Sequence, residues 1–198
     1  MNSELFLSFS VSDREKFTHH VWDRLLISAA DTVEVSDLAL EPFSEENIRA
    51  CFHNIEGVLS MLLDSVCSDF MTAFRSQNGE SIFESILGVY DYITTQDTTD
   101  VNNLLCQYVH LLAINSCFSK YHIAINKPKR MISALLVESF DPSSMQKNSQ
   151  GFRMSACHLI AECLFLALIN TFKEPQFAEY YRTELISELD IIMRGCLL

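Results

Sequence analysis

Residues 48–73 read IRACFHNIEGVLSMLLDSVCSDFMTA. The apolar positions Ile48, Phe52, Ile55, Leu59, Leu62, Val66, Phe70 and Ala73 recur at intervals of four, three, four, three, four, four and three. An α-helix turns once every 3.6 residues, so this spacing lines one helical face, whereas a strand would alternate at every second position. Ser44 ahead of the run offers a capping hydroxyl, and Glu45 and Glu46 suit the positive end of a helix. The pattern predicts one helix from Ser44 to Arg75, with Gly57 as its weak point and Asn78-Gly79 as its stop.

The same period extends in both directions. Ser12 and Glu15 form a capping box for a helix reaching about Ala30, with Phe17, Val21, Leu25 and Ala29 inward. Residues 31–42 read as a connector. Further helices are expected over 80–93, 101–125, 130–140, 152–172 and 175–196, with Thr99 or Asp100 capping the second of these and Asp141-Pro142 breaking the chain before 152. No segment makes a persuasive strand. The expected fold is all-α, with about seven helices in an orthogonal or antiparallel bundle around an apolar central helix at 152–172. A HEAT-like helical stack is the alternative. Residues 1–11 are read as an N-terminal extension and 12–198 as a single domain.

Composition excludes several functions. Lys and Arg number 14 against 26 Asp and Glu, a net charge of −12, which is the wrong sign for neutralising a phosphate backbone. No nucleic-acid partner is expected. The seven Cys are irregularly spaced and include no Cys-x-x-Cys pair. No signal peptide and no Asn-x-Ser/Thr acceptor is legible, so cytosol or nucleus is the expected compartment. Residues 154–172 approach the length of a membrane span, but His158, Glu162 and Asn170 interrupt them. They are read as a core helix, with membrane association as a third reading.

Signatures for nucleotide or nucleophile chemistry are absent; the five Gly, at 57, 79, 88, 151 and 195, build no phosphate loop or nucleophile elbow. No catalytic residue and no cofactor is expected. Cys106 with His110, and His158 with Glu162, are couples one helical turn apart, so Cys106, His110, His158 and Glu162 are the metal candidates should their helices be neighbours. Glu162, a carboxylate in an apolar helix, needs a partner, which His158 or an arginine from another helix could supply. His19-His20 reads as a surface pair. Lys127-Pro128-Lys129-Arg130 is the one basic island, either a solvated helix start or a contact for an acidic partner.

Apolar surplus weighs more than these. Fourteen Phe, six Tyr and seven Met exceed what seven amphipathic seams use. Met61, Leu63, Val109 and Ile114 lie off the main seams and are the candidates for partner binding; either their helices are central or they offer a second apolar face. The expected function is non-enzymatic: an interaction or scaffold protein that binds another protein, or its own copy, through an apolar helical face. A metal protein or enzyme built on Cys106, His110, His158 and Glu162 is the alternative, and a membrane-associated helical protein the third. An open apolar groove would favour the first, and an enclosed dry cavity the second.

Overall fold

The computed structural model describes residues 3–77, 81–95, 103–115, 119–139 and 150–197. The fold is all-α, with no strand among the described residues beyond a single bridge between Leu40 and Phe43. In chain order the helices are α1 (Ser3–Ser8), α2 (Val11–Ile27), α3 (Glu45–Phe52), α4 (Ile55–Leu63), α5 (Val66–Ser76) and α6 (Ile82–Thr95). They continue as α7 (Leu104–Ile114), α8 (His122–Ile125), α9 (Lys127–Ser139), α10 (Gln150–Lys173) and α11 (Ala178–Leu197). Short 3-10 turns at Ala30–Thr32, Val35–Leu38 and Pro175–Phe177 serve as connectors. The expected Asn78-Gly79 stop, the Thr99/Asp100 cap and the break at Asp141-Pro142 lie outside the described residues.

The seam of 48–73 is wholly internal: all eight of its apolar side chains are buried. Its continuity is not as expected. Asn54 turns the chain after α3, its side-chain oxygen accepting from the Gly57 N–H at 3.0 Å to cap α4. His53 between them has φ +68° and ψ −47°, and the Asn54 N–H donates to the Phe52 carbonyl at 2.9 Å, the geometry of a strained γ-turn. A second interruption, at Asp64-Ser65, keeps helical backbone angles and separates α4 from α5. The inward face survives both breaks because burial selects the face, not the continuity.

Two further departures lie near the N-terminus. Ser10, not Ser12, caps α2, accepting from the Asp13 N–H at 3.1 Å. Residues 3–8 do not trail from the domain but form α1, which packs on α3. Phe6 and Phe9 thereby join Phe17, Phe43 and Phe52 in one aromatic cluster, with ring centroids 4.2 Å apart for Phe9–Phe43 and 4.4 Å for Phe17–Phe43. Much of the Phe surplus is spent here.

Helix α10 is central, packing on α6, α7, α9 and α11. Tyr90 of α6 ties this region together. Its hydroxyl donates to the Ala178 carbonyl at 3.0 Å, so its contact with Thr171 Oγ1 at 2.6 Å has threonine as the donor. Asp91 beside it accepts two bonds from the Arg182 guanidinium. The apolar character of α10 exceeds its burial, however. Leu159 and Leu166 are each more than half exposed, and so is Met154 on the side toward α9. Ile55–Ser76 and Gly151–Lys173 are both long and apolar enough to cross a membrane. The first is divided at Asp64-Ser65. The second packs against four other helices.

Candidate functional site

The metal candidates do not converge, although α7 and α10 are neighbours. Cys106 is buried and its thiol lies 3.7 Å from the Ile93 carbonyl on α6. His110 faces the Phe172 ring, and with Ile114 lines a cleft of about 410 Å³ between α7 and the end of α10. His158 and Glu162 stand 3.7 Å apart on α10, turned toward α9 instead. Among the described residues no three His, Cys, Asp or Glu side chains gather as metal ligands. Glu162 is only partly buried, and its main partner is Lys129, whose Nζ donates to Oε2 at 2.8 Å. The partner does come from another helix, but it is a lysine where an arginine was expected, with His158 more distant at 3.7 Å. His20 rests at the surface near the Asp37 carbonyl.

The partner-binding candidates divide. Leu63 and Val109 are buried in the core, and Met61 packs against it, so the apolar residues off the seam mark central helices here. Ile114 is half-buried in the α7–α10 cleft.

A larger concavity than that cleft lies elsewhere, at the basic island. Tyr108 of α7 anchors the start of α9: its hydroxyl donates to the Ile125 carbonyl at 2.9 Å and accepts from the Lys129 N–H at 3.3 Å. That N–H is one of the unpaired donors every helix start carries. Burial pushes the Tyr108 phenol well above its ordinary value, so it stays a neutral donor. The Cys67 thiol meets the Pro128 carbonyl, and Lys127 Nζ donates to Asp64 at 2.9 Å. Pinned this way, the first turn of α9 lies beside α8, which packs on α4. Between the α3–α4 turn and α8–α9 runs a groove of about 690 Å³, open to solvent. Phe52, Gly57, Ile123, Ala124, Met131 and Ala134 give it an apolar lining, and Lys127, Arg130, His53 and Glu56 give it polar edges. Ile123 is 58% exposed and Met131 42%, and both belong to the apolar lining of this one groove. A smaller hollow of about 210 Å³ continues past Arg130 and Ala134 to Val137, Met154 and His158. The sequence signal that could have found this site was the basic island followed by Met131 and Ala134 at helical spacing.

Among the described residues the cysteines make no site of their own. Cys51, Cys67, Cys106, Cys157 and Cys163 form no disulfide. Burial, with the Glu188 carboxylate adding to it, pushes Cys163 from its ordinary 9.0 up to about 12, and burial raises Cys51 and Cys67 too. Since the folded value lies above the unfolded one, the Cys163 contribution to stability is whole below pH 9.0 and is lost as pH rises toward about 12. At pH 8 these three thiols are expected to resist iodoacetamide in the native protein and to react once it is unfolded, as read by peptide mass mapping. Fast native labelling of Cys163 would contradict its surroundings.

No protein-family model matches the chain, and no curated protein matches it in sequence.

Proposed function

We propose that this chain is a non-enzymatic α-helical interaction protein that seats a partner helix in the groove between the α3–α4 turn and α8–α9. The observation that carries the reading is the form of that groove: open along its length, apolar within, and lined by exposed Ile123, Met131 and Ala134. A helix of a partner covers such a surface by inserting residues spaced three and four apart. That Cys51, Cys67, Cys106, Cys157 and Cys163 form no disulfide supports a cytosolic or nuclear setting. The partner is another protein, with self-association as the case the test distinguishes.

Met131 and Ala134 are exposed, so a charge placed on either leaves the core intact. In native cell extracts the wild-type chain is expected to elute in an assembly larger than its monomer. Met131→Glu and Ala134→Arg should shift it to the monomer position with an unchanged circular dichroism spectrum. Purified wild-type protein that assembles alone identifies the partner as a second copy. Identical elution of wild type and both variants would overturn the reading.

A further inference from the structure

The groove has a basic edge on an acidic chain. The first turn of α9 carries Lys127, Lys129 and Arg130, at the end of a 13-residue helix where the backbone dipole is already positive. Cations placed there disfavour the helix unless anions answer them. Lys127 is answered by Asp64 at 2.9 Å and Lys129 by Glu162 at 2.8 Å. Arg130 has no counter-ion among the described residues, although acidic side chains outnumber basic ones by 26 to 14. It stands where the groove joins the smaller hollow, so it borders both.

We infer that the occupant of this groove is an acidic amphipathic helix of a partner protein, with a carboxylate paired to Arg130 and an apolar ridge laid on Met131, Ala134 and Met154. This inference rests on the reading of the groove as the interaction surface. From Lys127 to Val137 the lined path follows eleven residues of α9, about 15 Å, which matches about three turns of a bound helix. Within the groove's lining Glu56 is the single acid opposing Lys127 and Arg130. Charge of this kind directs orientation and encounter, while the apolar ridge supplies affinity. A nucleic acid fits poorly, since one unanswered arginine neutralises little phosphate and the apolar lining would stay bare.

The test uses the full chain and two fluorescent 18-residue amphipathic helical peptides that share one leucine ridge. One carries Glu on its polar face, and the other carries Lys at the same positions. Fluorescence anisotropy is expected to show saturable binding of the Glu peptide, at least about tenfold tighter than its Lys twin and weakening with added salt. Arg130→Glu should weaken the Glu peptide by about tenfold and narrow or reverse the preference. Ile27→Glu, at an exposed position outside the groove, should change neither. Equal binding of the twins, no effect of Arg130→Glu, or no binding of the Glu peptide would each overturn the inference. If Met131→Glu still disperses the native assembly in that event, the groove remains the interaction surface and only the acidic character of its partner is lost.

Discussion

Replacing Phe43 by alanine is expected to lower the unfolding free energy by about 3–5 kcal/mol, read as a fall in the urea midpoint at unchanged slope. Phe43 belongs to no helix. It sits in the turn before α3, fully buried, with its ring against Phe6 of α1, Phe9 and Phe17 of α2. The N-terminal segment carrying α1 and α2 meets the turn before α3 on that one side chain, so truncation opens a void that neither can close alone. Two tilted ring contacts and one stacked contact are lost as well, and a favourable aromatic pair is worth about 0.5–1.5 kcal/mol beyond its area. The neighbouring exposed Leu40→Ala, by contrast, should change stability by less than about 0.5 kcal/mol. A loss below about 1 kcal/mol for Phe43→Ala would mean that the N-terminal cluster does not hold α1 and α2 to the rest of the fold.

The second large effect runs against ordinary helix propensity. Alanine in place of a helical glycine usually stabilises by about 1 kcal/mol. At Gly57 a methyl group would stand 2.1 Å from the Phe52 carbonyl oxygen, which is backbone and cannot swing aside. That oxygen is held in place by the Asn54 N–H, and the chain around it turns tightly at His53. Gly57→Ala is therefore expected to destabilise by about 2–3 kcal/mol, the cost of forcing atoms into a packed turn. Because Gly57 and Phe52 both line the groove, it should also weaken partner binding. His53→Gly should do the opposite, raising stability by about 1 kcal/mol through relief of the positive φ. Thermal unfolding of the two variants checks both signs. A stabilised Gly57→Ala would show that the α3–α4 turn opens without cost.

What could be read from residues alone was which positions of the 48–73 seam face inward. Every seam position from Ile48 to Ala73 is buried, because a period of three and four survives local breaks. The breaks themselves were illegible as such: Asn54 caps α4 only once His53 adopts a left-handed backbone, and His53 carries no signal for that. Gly57 was marked as a weak point, and the structure places the interruption three residues earlier. Central α10 was legible from its composition, but its exposed Met154, Leu159 and Leu166 were not, since an all-round apolar helix does not say which side stays uncovered. The N-terminal cluster was missed because its aromatic residues are scattered across α1, a turn and two helices, and periodicity within one element cannot join them. The same limit applies to the site. For Met61, Leu63 and Val109 the residues alone leave a central helix and a second apolar face as alternatives, and the packing of α4 and α7 on more than one neighbour decides for the first. Lys127-Pro128-Lys129-Arg130 was legible as a possible contact for an acidic partner, but only the packing of α8 on α4 shows that a groove lies beside it.

The central claim, that the groove along α9 is the working surface of this protein, is tested most directly by a photo-crosslinking residue placed at Met131 in the full-length chain inside cells. The control is the same residue at Ile27, which is more exposed, at 79%, and lies outside the groove. The account predicts a discrete crosslinked adduct from position 131 that is absent from position 27 and lost when Arg130→Glu is introduced. Equal adducts from both positions, or none from position 131, would contradict it.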